Sequence, residues 1–146
     1  MRQIYLIDNS VTQRVGRSDA VADAMLGLLA IGELGAALPQ ILEQGFSARN
    51  PVEHERILTQ SERSTVFLPP DAEVAVIALH LQRSLFRAGM GRAVGVSDLQ
   101  IAATAIRHTD ERQTVTVVHY DHDFDHVAGV EPRFHAQWIV PAGSVA

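Results

Sequence analysis

The chain has 146 residues, of which 47% are hydrophobic and 20% charged, a balance typical of one globular domain. It contains no cysteine and its 12 basic residues are all arginine, which excludes disulfides, thiolate metal sites, P-loop lysines and Schiff-base lysines. The net charge of −5 argues against a uniformly basic surface that coats nucleic acid, and no apolar run approaches the roughly 20 residues that span a bilayer. We therefore expect a single cytoplasmic domain over residues 1–146 that does not enter a membrane.

Five short segments have the composition of buried strands. Residues 4–7 form an apolar run that Asp8 closes, which predicts a buried strand ending at Asp8. Residues 114–120 are mostly β-branched, and such residues crowd a helix but pack well in a sheet. The other predicted strands or extended pieces are residues 35–38, 66–68 and 137–140.

Helices are predicted between these strands from capping residues and from apolar residues at helical spacing. The first runs from Ser18–Asp19 to the glycines at 27–35, the second from Pro39 to Phe46, and the third from Asn50 to about Glu62. The fourth runs from Asp71 to near Gly89. The fifth covers Leu99–His108 and follows a Ser97–Asp98 cap. Strands that alternate with helices predict an α/β fold, with a mostly parallel sheet covered by helices on both faces. Ligands bind such sheets beyond the carboxyl ends of the strands, so the residues after each strand are the first candidates for a site.

Acidic residues from remote parts of the chain are predicted to meet at that end of the sheet. Asp8 ends the first strand, Glu43 lies in the helix after the second, Asp98 starts a later helix, and Asp121 and Asp123 follow the strand at 114–120. Carboxylates that are packed together repel one another, so such a cluster requires cations among them. Hard oxygen ligands favour Mg²⁺ or Mn²⁺. The pattern therefore indicates a metal-binding acidic site.

Each acid taken alone also has a purely structural interpretation. Asp8 fits a turn after a strand, and Asp98 fits a capping or first-turn acid beside Ser97. Glu43 fits a solvated helix charge, and residues 121–125 fit a polar turn after a strand. The shared predicted location of the acids is what favours a common site.

Four segments, in order along the chain, resemble the motifs of PIN-domain ribonucleases, in particular the VapC-type toxins of bacterial toxin–antitoxin pairs. The segments are residues 4–10 (IYLIDNS), 41–49 (ILEQGFSAR), 95–105 (GVSDLQIAATA) and 119–125 (HYDHDFD). Asn9 stands where the family has threonine, Phe46 where it has tyrosine and Ser47 where it has glycine. None of these departures, nor Gln44, removes an acid, and the four matches span nearly the whole chain.

The resemblance implies a three-layer α/β/α fold and cleavage of RNA with Mg²⁺, for which Mn²⁺ substitutes. It makes Asp8, Glu43, Asp98 and Asp121 the catalytic, metal-binding quartet, with Asp123 as a fifth acid beside them. In the mechanism that follows, metal held by the acids polarises the scissile phosphate and activates a water, and the products carry a 5′-phosphate. The family also forms homodimers and is held inactive by a cognate antitoxin, here a VapB-type protein.

Three arginines are candidate RNA contacts. Arg83 and Arg87 share one face of a predicted helix, and Arg92 follows in a glycine-rich loop. The planar donor fork of arginine suits phosphates, although an exposed helix face carries charge in any case. Without the quartet, 13 acids oppose 12 arginines, so a site neutralised by cations would leave little charge to repel RNA.

Three histidines support a second enzymatic hypothesis. His119, His122 and His126 lie close together, and a helix starting there would place His122 and His126 on one face, as in a His/Asp transition-metal hydrolase. The glutamate of a His-Glu-x-x-His motif is missing, so surface or partly buried histidines are the plainer interpretation. Two non-catalytic alternatives stay open. One is a receiver-like interaction domain, against which the absence of lysine weighs, and the other is an α/β partner protein with scattered acids.

Apolar stripes occur around Met25–Leu29 and Leu79–Phe86, and the tail adds Phe134 and Trp138. Core packing is the first interpretation of such stripes. They are also the places where an antitoxin helix or a second copy of the chain would dock.

Overall fold

A parallel sheet organises the molecule. The computed structural model describes residues 1–146 and contains five strands in the order β3-β2-β1-β4-β5, with every neighbouring pair parallel. The strands are β1 (Arg2–Ile7), β2 (Glu33–Ala37), β3 (Val66–Leu68), β4 (Gln113–His119) and β5 (Ala136–Trp138). The predicted mostly parallel sheet is confirmed.

Seven helices connect the strands. They are α1 (Asn9–Val15), α2 (Asp19–Leu29), α3 (Leu38–Phe46), α4 (Pro51–Ser64), α5 (Ala72–Arg87), α6 (Val96–His108) and α7 (Asp123–Val130). Three of them start as the sequence predicts, because a polar side chain accepts a hydrogen bond from the first turn. These caps are Ser18, Asn50 and Asp71. None of the seven helices combines the length and the apolar character needed to span a bilayer.

Two apolar cores lie on opposite faces of the sheet. On one face, Ile4 and Val117 of the central strands pack with helices α5, α6 and α7. On the other face, Tyr5 and Val118 pack with α1 and α2. Successive residues of a strand point to opposite faces, so the apolar run 4–6 feeds both cores. The expected three-layer α/β/α fold is confirmed.

The start of α6 differs from the prediction. Ser97 and Asp98 are not the cap, because the helix begins at Val96 after Gly95, which adopts an extended conformation and contributes no side-chain hydrogen bond. Glycine is an acceptable N-cap, so the helix needs no polar side chain at this position. As a consequence, Asp98 lies inside the first turn of α6 rather than before it.

Helices α1 and α7 were not predicted, and several boundaries move. Strand β1 ends at Ile7, and Asp8 caps α1 instead of ending the strand. Both helices are short, and short helices take most of their stability from packing. Val11 of α1 and Phe124 of α7 are fully buried, which explains why local sequence alone did not reveal these helices. The remaining shifts are modest: β2 starts at Glu33, Leu38 belongs to α3, and β5 covers 136–138.

Candidate metal centre

Three aspartates meet beyond the carboxyl ends of β1 and β4. Asp98, Asp121 and Asp123 each offer a carboxylate oxygen, and these atoms all lie within 4.8 Å of one another. All three side chains are half-buried. We call these residues the carboxylate cluster. Asp121 comes from the turn between β4 and α7, Asp123 is the first residue of α7, and Asp98 comes from the first turn of α6.

The negative charges of the cluster are not balanced by a positively charged side chain. Burial, together with the charges of Asp8, Asp121, Asp123 and Glu43 in decreasing order, raises the pKa of Asp98 to about 7. No positive group opposes these effects. Burial and the neighbouring Asp121 also raise the pKa of Asp123. All five acids singled out in the sequence therefore act on one location, although only three of them form the tight cluster.

Asp8 is buried at the end of β1 and is held by Ser10. Its Oδ2 accepts hydrogen bonds from the Ser10 amide at 3.0 Å and from the Ser10 hydroxyl at 2.6 Å. The same hydroxyl oxygen accepts a hydrogen bond from the Tyr120 amide at 2.9 Å, which ties the end of β1 to the end of β4. One oxygen of Asp8 is therefore engaged, and the other is left for a ligand.

Asp121 is oriented in a similar way. Its Oδ1 accepts the amide hydrogen of Asp123 at 2.9 Å, and its own amide donates to Nδ1 of His119 at 3.3 Å. The turn that leads from β4 into α7 is thus fixed by side chains at every second residue. One carboxylate oxygen is used within the protein, and Asp121 also offers an oxygen to the group that lies within 4.8 Å.

His119 is the last residue of β4 and is only 1% exposed. Its ring packs between Phe124, at a centroid distance of 5.2 Å, and Trp138, at 5.0 Å. Burial lowers the pKa of His119, which favours the neutral ring. Nε2 of this ring is buried and has no hydrogen-bond partner.

The other two histidines lie outside the carboxylate cluster. His122 is largely exposed, and its Nδ1 lies 3.3 Å from Oδ2 of Asp125. Trp138 donates to the other oxygen of Asp125 at 3.0 Å and lies edge-on to His122 at 4.9 Å. No histidine joins the three carboxylates in the group of potential metal ligands. The hypothetical His122/His126 pair therefore does not contribute ligands to this centre.

Glu43 approaches from α3, on the other side of Asp8. It is exposed and lines an open cleft of about 770 Å³ together with Asp8 and the apolar side chains Ile7, Met25, Leu34, Ile41 and Ile57. We call this the Asp8–Glu43 cleft. Gln40 fixes the start of α3 beside it, because its amide bridges the Ile7 carbonyl and the Ala37 amide at 3.0 Å each.

The three predicted RNA-contacting arginines lie apart from the acids. Arg83 and Arg87 border a shallow depression on α5 with Leu79, Gln82 and Phe86, and none of the five acids borders it. Arg92 is exposed in the loop between α5 and α6. Gly91 of this loop packs so close to the Phe86 ring that a Cβ at this position would overlap the ring. The loop that carries Arg92 is therefore packed against Phe86, which borders the depression.

Four residues that help to build the site were not recognised in the sequence as doing so: Ser10, Gln40, His119 and Trp138. A serine two residues after a strand-ending aspartate is the pattern of a local turn bond, and that signal was available for Ser10. Gln40 and Trp138 act across elements that are distant in sequence, so no local pattern marks them. His119 was noted only as a possible metal ligand.

The donor chemistry fits a divalent metal ion. Half-buried carboxylates that lie close together are stabilised by a cation with a preference for oxygen, such as Mg²⁺ or Mn²⁺. Asp98, Asp121 and Asp123 are within reach of one ion, and Asp8 keeps an oxygen free beside them. The centre has no thiolate and no histidine that would favour a softer metal.

Known proteins resemble this chain in both sequence and fold. Ribonuclease VapC51 of Mycobacterium tuberculosis is 36% identical over 141 residues, which cover 97% of this chain and 96% of the relative. A solved structure of VapBC-1 from nontypeable Haemophilus influenzae has a chain that superposes with a TM-score of 0.70 at 19% identity, covering 93% of this chain and 98% of its own. VapBC-5 of Mycobacterium tuberculosis, a member of the VapBC family of toxin–antitoxin systems, gives a TM-score of 0.59 at 19% identity over 94% of this chain and 98% of its own.

The two solved structures support the fold, and the sequence comparisons identify the family. Residues 5–130 match the PIN domain, a span that contains all five acids of the site. The chain belongs to the PIN domain family, where its sequence relatives carry the name Ribonuclease VapC.

Proposed function

We propose that this protein is a ribonuclease toxin that requires a divalent metal ion and hydrolyses RNA phosphodiester bonds at its acidic centre. The observation that carries the proposal is the meeting of five carboxylates at one location, where burial and mutual repulsion raise the pKa of Asp98 to about 7. Such an arrangement lowers the stability of the metal-free protein, and a cation reverses that cost. The name of the relatives, Ribonuclease VapC, gives the reaction class.

We assign Asp8 and Asp98 as principal ligands, with Asp121 and Asp123 completing the site. Mg²⁺ is the proposed ion and Mn²⁺ its substitute, since both prefer oxygen donors. A bound ion of this kind supplies positive charge for the scissile phosphate and lowers the pKa of water. One ion would bind at the carboxylate cluster, and Glu43 with the free oxygen of Asp8 would provide acidic groups for a second ion.

The chain's own residues hold and orient these groups. Ser10 and the Asp123 amide each occupy one carboxylate oxygen, so Asp8 and Asp121 present their other oxygens in fixed directions. Glu43, on the exposed rim of the cleft, is placed to orient a water by accepting its hydrogen bond. Attack by water in line with the departing 3′ oxygen leaves a 5′-phosphate on the product.

RNA is the proposed substrate, with Arg83, Arg87 and Arg92 as contacts to phosphates at a distance from the acids. All three are exposed, and the loop carrying Arg92 leads directly into α6, which carries Asp98. A guanidinium suits phosphate through its planar set of donors. The three arginines would therefore bind RNA flanking the cleaved bond rather than the bond itself.

A VapB-type antitoxin is the proposed protein partner, since VapBC-5 is described as a member of a toxin–antitoxin family. The Asp8–Glu43 cleft suits such a partner, because it joins apolar side chains to the carboxylates of Asp8 and Glu43. We also propose a homodimer. Large apolar side chains stay exposed on α2 and just after it, and a second copy would cover them. They are Leu26, Leu29 and Ile31.

We place this reaction in the cytoplasm, where a ribonuclease toxin meets its RNA. The proposal is tested by incubating the purified protein with structured RNAs in Mn²⁺, in Mg²⁺ and after exhaustive chelation, and by mapping the cut ends. We expect cleavage only with metal, with 5′-phosphate ends. Cleavage that survives chelation would refute the metal-dependent mechanism.

A further inference from the structure

His119 is a buried histidine that contacts the backbone of Asp121, a member of the carboxylate cluster, and one of its ring nitrogens has no hydrogen-bond partner. The His119 ring packs against Phe124 and Trp138, and its backbone carbonyl accepts the Ile139 amide at 3.0 Å. Two aromatic contacts and a backbone hydrogen bond therefore hold this residue in place. Its Nδ1 accepts the Asp121 amide, while Nε2 lies buried without a partner.

The hydrogen bond to Asp121 defines the state of the ring. A nitrogen that accepts a hydrogen bond carries no proton, so the hydrogen of the neutral ring sits on Nε2. That Nε2–H group is buried without an acceptor, an arrangement that costs stability. An apolar side chain of similar size would fill the same space without this cost. What it would lack is the acceptor for the Asp121 amide.

The turn after β4 shows what that acceptor does. Three amides in this turn are bound by side chains: Tyr120 by Ser10, Asp121 by His119 and Asp123 by the Asp121 carboxylate. The bond from His119 is the one that fixes the backbone of Asp121 itself. Asp121 and Asp123 supply two of the three oxygens of the cluster, so the direction of this backbone decides whether those oxygens face Asp98.

We propose that His119 is a positioning residue for metal binding: through Nδ1 it holds the Asp121 backbone so that Asp121 and Asp123 both point at Asp98. The inference rests on the metal-dependent function proposed above. His119 touches neither metal nor substrate in this account. It acts by maintaining the spacing of carboxylates that would otherwise be driven apart by repulsion.

Two substitutions separate this role from simple packing. In His119→Leu the apolar volume is largely kept and the acceptor is lost. In His119→Asn volume is lost, but a side-chain oxygen remains that can accept the amide two residues ahead, a bond that asparagine commonly makes in turns. The two roles therefore predict opposite orders of Mn²⁺ affinity. A positioning role predicts tighter binding by His119→Asn, and a packing role predicts tighter binding by His119→Leu. His119→Met serves as a second apolar variant if His119→Leu does not fold.

The experiment measures Mn²⁺ affinity by calorimetry, together with melting temperature, for the wild type and the variants. We expect His119→Leu to melt at least as high as His119→Asn but to bind Mn²⁺ roughly tenfold more weakly than the wild type, the usual size of such indirect effects. His119→Asn should stay within about threefold of the wild type, because the turn bond is restored. If Mn²⁺ affinity instead follows melting temperature, so that His119→Leu binds as well as the wild type, His119 only packs and the inference is wrong.

Amide hydrogen exchange keeps this inference distinct from the proposed function. In metal-free protein, the Asp121 amide should be protected in the wild type and in His119→Asn and exchange faster in His119→Leu. A wild type that binds no Mn²⁺ would overturn the proposed function, and the Asp121 amide would still decide whether His119 holds the turn. Equal protection of that amide in all variants would overturn the positioning role.

Discussion

Asp8 and Asp98 reach the same end of the sheet from distant parts of the chain, and after burial the charge of Asp8 is the largest cause of the raised Asp98 pKa. Asp98 lies in the first turn of α6, where a negative charge normally stabilises a helix. Two opposing electrostatic effects therefore act on one carboxylate. The pKa of about 7 shows that burial and repulsion dominate.

The first prediction concerns Asp98→Asn in the metal-free protein at pH 8. Removing the charge relieves the repulsion, so we expect a gain in the free energy of unfolding of roughly 1 kcal/mol, kept small because solvent screens this half-buried site. This corresponds to a rise in melting temperature of about 2–4 °C for a chain of this size. Asp19→Asn is the matched control, since Asp19 is an exposed first-turn acid of α2, and its neutralisation should lower the melting temperature slightly. A drop in both variants would mean that Asp98 acts only as a helix-terminal charge.

The raised pKa of Asp98 also determines how the stability of the metal-free protein changes with pH. The folded-state pKa of Asp98 lies at about 7, above its usual 3.8, so protonation of this group stabilises the fold. Its contribution is complete below about pH 4 and is lost as the pH rises to about 7. Thermal melts of chelator-treated protein should therefore show that the advantage of Asp98→Asn over the wild type grows from pH 5 to pH 7 and then levels off. An advantage that is constant across this range would contradict the raised pKa.

Metal binding should have the opposite pH dependence. A divalent ion competes with the proton on Asp98, so the apparent Mn²⁺ affinity of the wild type should fall by roughly tenfold for each pH unit below about 7. Above that pH it should be nearly flat. Calorimetric titrations at several pH values between 5.5 and 8.5 test this, and an affinity that does not change across the range would place the ion elsewhere.

The sequence located much of this centre, for a simple physical reason. In a parallel sheet the carboxyl ends of the strands share one edge, so acids that follow strands, such as Asp8 and Asp121, must lie near one another. The approach of Asp98 follows from the position of α6 before β4. What the sequence could not supply is the fine orientation. The bond from the Tyr120 amide to the Ser10 hydroxyl depends on the way β1 and β4 align, and the direction of the His119 ring depends on its packing against Phe124 and Trp138.

The prediction of secondary structure failed for related reasons. Helices α1 and α7 are stabilised by the burial of Val11 and Phe124 against elements that are distant in sequence. The cap of α6 at Gly95 leaves no polar side chain to recognise. Long elements with strong periodicity, such as α5 and β4, were predicted nearly to the residue because their own composition determines them.

The rival histidine site makes its own prediction. His122 is exposed and bound to Asp125, and neither it nor His126 belongs to the carboxylate cluster. The double variant His122→Ala/His126→Ala should therefore keep most of the RNA cleavage and nearly the wild-type Mn²⁺ affinity. Loss of metal binding in this variant, measured by calorimetry, would favour a His/Asp metal site instead.

A further prediction links metal to the antitoxin. A cleft that carries two carboxylates, Asp8 and Glu43, is a suitable receptor for an arginine, whose guanidinium can pair with two carboxylates and take the place of a metal ion. We expect the cognate antitoxin to insert a basic side chain beside Asp8, Glu43, Asp98 and Asp121, so that antitoxin and Mn²⁺ compete. Added Mn²⁺ should then weaken the complex by the same factor by which antitoxin weakens Mn²⁺ binding. An antitoxin affinity that stays constant across a Mn²⁺ titration, or in Asp8→Asn and Asp98→Asn, would show that inhibition acts elsewhere.

The central claim is that the carboxylate cluster carries out RNA cleavage through a bound metal ion, and Asp98→Asn tests it most directly. The measurement is RNA cleavage per folded molecule for the wild type and Asp98→Asn, side by side in Mn²⁺ and in Mg²⁺, with folding checked by thermal melts of the same samples. We expect cleavage by the wild type at lower concentrations of Mn²⁺ than of Mg²⁺. We expect no cleavage by Asp98→Asn, although that variant folds at least as stably as the wild type. Undiminished cleavage by a folded Asp98→Asn protein would contradict the account.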